Sequence, residues 1–456
     1  MFATHRKAVG YALIAALGGF LFGFDTAVIS GVEKTIQQLW HLSDLWHGFT
    51  VSAALFGTAF GALFSGRPAE RWGRKNMLKI IGFLYAFTSI ATALSHHWID
   101  FIVFRFLGGL AVGASSVVGP MYISEISPAR LRGRLVGFFQ LNIVVGILVA
   151  FLSNYFLMKY LGPGAWRWML GVQALPALIF FVLVFWIPES PRWLVGHDRQ
   201  EQARGVLQKL QAEHIDASLQ EIQQSLRHRD DLVKEKLWQK KYARPIAYAM
   251  LLAMFNQLSG INAILYYAPR IFEMTGIQAD LAFLQAMMVG LTNLIFTIIA
   301  MSVIDRFGRK TLLIIGSLGM IAFLGLTARA FYLNVQGGYE VMIYLIGFIA
   351  FFAFSQGAVI WVFISEIFPN RVRSKGQAIG STTHWTMDIL ISWLFPWMAA
   401  TLGGGNSFLI FTVMMVLQLI FVWRFLPETR GKSLEEIQAA LGIDVQPEHV
   451  SAYDHS

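Results

Sequence analysis

Long apolar runs recur along the whole chain and constrain it more than any other feature. The segments 9–31, 49–65 and 408–425 carry almost no charge. Each approaches the ~20 residues needed to cross a ~30 Å hydrocarbon layer. In lipid every backbone N–H and C=O must be paired inside the segment, so such runs form helices. The 456 residues are 56% hydrophobic and only 14% charged, too little charge for the surface of a soluble domain of this size.

The pattern predicts twelve spans, near 9–31, 48–66, 77–95, 100–121, 134–157, 167–187, 246–270, 281–304, 311–332, 340–363, 375–400 and 406–426. Arg6 and Lys7 precede the first, which is too long for a signal peptide and lacks a small-residue cleavage site. Basic residues gather in alternate loops: Arg67, Arg71, Arg74, Lys75 and Lys79 after span two, Arg130, Arg132 and Arg134 after span four, Arg306, Arg309 and Lys310 after span eight, Arg371, Arg373 and Lys375 after span ten. The positive-inside rule then places these loops and both termini in the cytoplasm. The net charge of +9 is thus a topology signal, and no nucleic-acid partner is expected. There is no cysteine, so no disulfide or thiol chemistry. No N-x-Ser/Thr acceptor occurs either, which favours a bacterial cell membrane.

Segment 190–244 is polar, with Val206, Leu207, Leu210, Leu219, Ile222 and Leu226 spaced for short amphipathic helices. The expected organisation is a six-span half over 1–189, a cytoplasmic helical linker over 190–244, a second six-span half over 245–426 and a cytoplasmic tail over 427–456. Ser433 and Glu436 are placed to form a capping box in that tail, on a short helix ending near Gly442. The halves repeat: Glu70-Arg71-Trp72-Gly73-Arg74-Lys75 returns as Asp305-Arg306-Phe307-Gly308-Arg309-Lys310, Ile123-Ser124-Glu125-Ile126 as Ile364-Ser365-Glu366-Ile367, and Pro188-Glu189-Ser190 as Pro427-Glu428-Thr429. Three motifs in one order at one period imply a pseudo-symmetric transporter with a midplane site between its halves.

At these residues the chain resembles the sugar porter family of the major facilitator superfamily. The likeness runs from Gly18 to Leu434 and includes Pro188-Glu189-Ser190-Pro191-Arg192-Trp193-Leu194 and Gln257-Leu258-Ser259-Gly260-Ile261-Asn262. It implies an all-α membrane protein of twelve helices. Three departures stand out. Asn256-Gln257 replaces a Gln pair on span seven, Gly357-Ala358 replaces Gly-Pro on span ten, and His384-Trp385 replaces Gln-Trp or Asn-Trp on span eleven. The missing proline bears on how easily span ten bends.

Sugar hydroxyls donate and accept, and carboxamides match both functions without charge. Gln140, Asn256, Gln257, Asn262 and Asn293 are intramembrane amides. The resemblance implies that Gln140, Gln257 and Asn262 contact sugar; the competing reading for any lone amide is an interhelical bond. Trp361 and Trp385 match positions that line the family's site, where aromatic faces suit a pyranose ring. His384 fits a sugar hydroxyl or a neighbouring helix equally well. Tyr266 and Tyr267 are candidate gates. Asp25 is costly in mid-membrane and functional by default. The resemblance pairs it with Arg105 and implies proton coupling, against a permanent structural ion pair. Arg74, Glu125, Arg132, Arg309, Glu366 and Arg373 resemble a conformational network between the halves, against a role in topology alone.

The expected function is import of a neutral pentose, hexose or cyclic polyol by proton symport. A proton-independent uniporter is the alternative. The narrow sugar motifs disfavour an exporter, and the short tail disfavours a receptor. No phosphate loop, cofactor motif or metal cluster points to an enzyme, and no cofactor, metal or obligate protein partner is expected.

Overall fold

The computed structural model describes residues 5–443 except 129, 211–213, 233–234, 336, 370 and 433. Among the described residues eleven helices are long and apolar enough to span a membrane: Arg6–Gly31, Asp44–Phe64, Arg74–Ala93, Trp98–Ile126, Arg132–Leu161, Trp166–Val184, Lys240–Glu273, Ala279–Ile304, Arg309–Tyr332, Tyr339–Glu366 and Gly403–Phe425. They are spans one to ten and twelve. Span eleven is Arg373–Thr401, long enough but more polar. Ser433 lies outside the described residues; the tail helix runs over Leu434–Ala440.

Small residues let the helices approach closely, as association in lipid requires. A Cβ on Gly23 of span one would sit 1.8 Å from the Ile143 carbonyl oxygen of span five. One on Gly109 of span four would sit 1.9 Å from that of Ala54 in span two.

The repeated motifs meet within each half. Gly73 has φ +94° and Gly308 φ +87°, a backbone that favours glycine. The turn aims the first N–H groups of spans three and nine at a carboxylate from the third motif. Glu189 accepts from Arg74 N (2.9 Å) and Lys75 N (3.1 Å), and Glu428 from Arg309 N (2.9 Å) and Lys310 N (3.0 Å). A negative group there complements the helix dipole. Burial pushes the Glu189 carboxyl up from its ordinary range, and the backbone N–H groups pull it back. The second motif completes each cluster. Arg74 binds Glu125 through Nε and Nη2, both at 2.9 Å, and Arg309 Nη2 binds Glu366 at 2.9 Å.

The Arg74–Glu125 and Arg309–Glu366 pairs each lie within one half. Arg132 is exposed, and Arg373 Nε reaches the Phe368 carbonyl at 3.4 Å.

Apolar packing differs between the two ends of the molecule. At the end away from the basic loops, one cluster joins both halves, with Val32, Ile36, Phe101 and Trp166 beside Tyr267, Phe272, Phe395 and Phe408. Toward the basic end it splits. One cluster belongs to the first half and takes in Val206, Leu207, Leu210 and Leu219 of the linker; the other belongs to the second half and takes in Leu237, Ile437 and Leu441. Helices Gln200–Lys209 and Ile215–Leu232 form most of the linker.

Candidate substrate site

Two spans that build the site are broken helices. In span seven, Gly260 (φ +82°) separates Ala243–Leu258 from Ile261–Glu273. In span ten, Ser355 (φ −118°, ψ −85°) separates Tyr339–Phe354 from Gln356–Glu366. Span ten therefore breaks without the family's proline. The Ser355 hydroxyl bonds the Phe351 carbonyl at 2.6 Å, and Gly316 of span nine makes room, since a Cβ there would lie 1.8 Å from Ser355 Oγ. A hydroxyl bonded back to the preceding turn bends helices.

A cavity of about 730 Å³ lies between the halves, lined by Gln140, Asn256, Gln257, Asn262, Tyr266, Asn293, Trp361, His384 and Trp385. Tyr267 stands apart from it. That side chain is fully buried and its hydroxyl donates to the Ser392 carbonyl at 2.9 Å. The lining continues to Ser374 and Gln377 in the first turns of span eleven, so the cavity reaches the end that carries the basic loops.

The amides divide into two kinds. Gln140 and Asn293 have no hydrogen-bond partner among the described residues and are free to bind ligand. The others form a directional relay. Asn262 donates to Gln257 (3.2 Å), Gln257 to Asn256 (3.1 Å), Asn256 to Gln356 (3.2 Å) and Gln356 to Gln418. Gln418 then donates to the Ser317 hydroxyl at 2.9 Å, which bonds the Leu313 carbonyl. The relay runs from the cavity through the break in span ten to spans twelve and nine. Gln257 Nε2 also lies 2.8 Å from His384 Nε2. An amide nitrogen donates, so this ring nitrogen accepts and the ring proton sits on Nδ1. The His384 ring centroid is 5.0 Å from that of Trp361 and 5.3 Å from that of Trp385.

Asp25 and Arg105 form a buried ion pair, Nη1 to Oδ1 2.5 Å. Phe22, Thr26, Tyr266 and Trp385 line both the main cavity and the small pocket that touches this pair. The pair thus stands directly behind one wall of the cavity.

The opposite end is latched by charges that were not singled out along the chain. Arg270 of span seven crosses to Glu33 and Gln37 of the other half, and Lys34 crosses to Glu273. Glu33 also holds His47 Nε2 at 2.7 Å. Trp393 Nε1 donates to the Leu45 carbonyl at 3.0 Å, and a Cβ on Gly48 would lie 1.9 Å from the Trp393 oxygen. The signal available was the pairing of Glu33 and Arg270, charges at the ends of spans one and seven remote from the basic loops. Asp388 went unnoticed too, although it is a carboxylate one turn beyond His384 in an intramembrane segment.

The family model described as "Sugar (and other) transporter" matches residues 11–441. The chain belongs to the sugar porter family of the major facilitator superfamily. This porter is 37% identical to the D-xylose-proton symporter of Escherichia coli K12, over 94% of both chains. It is 35% identical to the arabinose-proton symporter of Bacillus subtilis, over 95% of the porter and 96% of that protein. Its fold superposes on the inward open conformation of the E. coli xylose transporter XylE with a TM-score of 0.84 at 36% identity, covering 94% of the porter and 98% of that chain. The porter is a multi-pass membrane protein with the twelve-helix, two-half architecture, and no enzyme.

Proposed function

We propose that this porter imports a small neutral monosaccharide together with a proton by alternating access, across a bacterial inner membrane with both termini in the cytoplasm. The observation that carries the reading is a cavity between the halves ringed by amides and tryptophans, with a buried Asp–Arg pair behind its wall. The names of the relatives, symporters of xylose and arabinose, support it. With the basic loops assigned to the cytoplasm, the latched end faces outward and the conformation is inward-facing.

Protonating Asp25 removes one half of the ion pair and frees span one to move against span four; proton release restores the pair. A proton carried inward contributes about 2.3 kcal/mol per 100 mV. A pH difference of one unit adds about 1.4 kcal/mol. At about 1.4 kcal/mol per tenfold, the sum supports a sugar gradient of several hundredfold. A uniporter supports none, and it has no use for a carboxylate held at this cost in the membrane. The site residues proposed for sugar are Gln140, Asn256, Gln257, Asn262, Asn293, Trp361, His384 and Trp385, with Tyr266 at the wall and Tyr267 holding the outer closure.

Uptake of radiolabelled D-xylose, L-arabinose and D-galactose into proteoliposomes, with and without an imposed pH gradient, tests the reading. Accumulation above equilibrium with the gradient supports it; equilibration at the same rate without it supports the uniporter.

A further inference from the structure

Glu33 is the first residue of the short helix Glu33–Leu39 that follows span one, and His47 lies in the first turn of span two. Both belong to the first half. The His47 side chain is fully buried, and its Nε2 stands 2.7 Å from Glu33 Oε2. Among the described residues this is the one hydrogen bond its ring makes, since Nδ1 is buried without a partner. Glu33 also takes two guanidinium bonds from Arg270 of the second half, at 3.0 Å on Oε1 and 2.9 Å on Oε2. A carboxylate that accepts both prongs of an arginine is an acceptor, so the ring nitrogen of His47 that faces it is a donor.

The two partners of Glu33 differ in where they go when the latched end opens. Arg270 leaves with span seven. His47 stays, because residues 40–43 join the short helix to span two, and Gln37 of the one donates to Asp44 of the other at 3.1 Å. Without that standing partner, the Glu33 side chain would regain its rotamers at each opening and lose them again at each closing. Ring packing is the competing role for His47, whose ring meets that of Tyr267 edge-on with centroids 6.0 Å apart.

We propose that His47 is a positioning residue of the outer closure. Its Nε2–H holds the Glu33 carboxylate while that end stands open, so that Arg270 meets an aimed acceptor when the halves come together. His47 lines neither the cavity nor the pocket beside Asp25, and it acts through Glu33 alone. The inference rests on the alternating access proposed for this porter.

The test uses the full-length porter in proteoliposomes. Thr26→Cys supplies the label site in the cavity wall, and an impermeant maleimide is added outside. Three substitutions of His47 are made in that parent. His47→Phe keeps an aromatic ring against Tyr267 and has no donor. His47→Gln gives up the ring, but its amide N–H₂ reaches the place of Nε2. His47→Asn carries the same amide on a shorter stem and falls short of Glu33. Labelling should be faster by about tenfold or more in the Phe and Asn variants, the size of a lost hydrogen bond to a charged group. The Gln variant should label at the parent's rate. Fast labelling in Gln with slow labelling in Phe assigns His47 to ring packing and overturns the inference. Equal rates in the parent and all three variants, or equal increases in all three, overturn it as well. If His47→Phe fails to fold, the comparison of Asn with Gln decides, because it turns on reach alone. In Arg270→Ala, where the latch is already broken, His47→Phe should add nothing, and a further increase overturns the inference. If Arg270→Ala itself labels no faster than the parent, the latch does not hold the state and the inference falls with it. Sugar uptake, measured separately, decides the transport reading.

Discussion

Arg270 grips Glu33 from the opposite half of the molecule, Nε 3.0 Å from Oε1 and Nη2 2.9 Å from Oε2. Glu33 is 1% exposed, so this two-point contact is a buried one. It sits where the apolar packing also joins the halves, and it closes the end of the cavity remote from the basic loops.

Arg270→Ala leaves Glu33 buried with only His47 for company, and breaking a buried pair by removing one partner costs about 3–5 kcal/mol. That cost falls on the latched conformation alone. The porter should shift toward the conformation open at the latched end. The chain has no native cysteine, so Thr26→Cys gives a clean probe in the cavity wall. Labelling by an impermeant maleimide from the outside should rise in Arg270→Ala; equal labelling would mean the latch does not hold the state.

Gln140 and Gln257 should differ when truncated. Gln140→Ala removes a bond to the sugar and nothing else, about 0.5–1.5 kcal/mol. Gln257→Ala also strips partners from Asn256, Asn262 and His384. Orphaned buried groups add about 1–3 kcal/mol. Calorimetry should show the larger loss of sugar affinity, about tenfold or more beyond that of Gln140→Ala, in Gln257→Ala.

Gln356 does not line the cavity, yet it links Asn256 to Gln418 at the break in span ten. Interhelical hydrogen bonds in membranes average only about 0.6 kcal/mol. Gln356→Leu should therefore weaken sugar binding by no more than about tenfold, most of it from leaving Asn256 without its acceptor. A double-mutant cycle with Gln257→Ala should be non-additive, since both act on one relay. Strict additivity would separate the relay from the site.

Asp25→Asn should abolish uphill sugar accumulation while calorimetric sugar binding persists, because Asp25 lies behind the wall of the cavity, in the small pocket it shares with Arg105. External sugar should alkalinise the medium around wild-type liposomes and leave it unchanged around the variant. Equal uphill accumulation by both would remove Asp25 from the coupling, and equilibration without accumulation by the wild type would favour the uniporter.

Much of this porter was legible along the chain. Hydrophobic runs mark spans because each must satisfy its own backbone in lipid, and the repeated Gly-Arg-Lys, Ser-Glu and Pro-Glu motifs mark the halves because each encodes one helix-end cluster. Span eleven shows the converse. Arg373–Thr401 falls short in hydropathy among otherwise apolar spans because Gln377, Ser381, His384 and Asp388 line the cavity. Polarity within a span thus pointed to the site, and the intramembrane amides were found that way.

Other features depend on groups remote in sequence and were decided by packing. Whether an amide faces the ligand or its neighbours depends on what lies within about 3 Å, the reach of a hydrogen bond. Gln140 and Asn293 have nothing there among the described residues, whereas Gln356 and Gln418 complete a relay across four spans. The bend in span ten came from Ser355 and a glycine of span nine rather than from proline. The charged motifs specify a pair inside each half, but not which end of the molecule is shut. That was settled by Glu33 meeting Arg270, 237 positions away, because an ion pair exists only where the two halves bring its charges together.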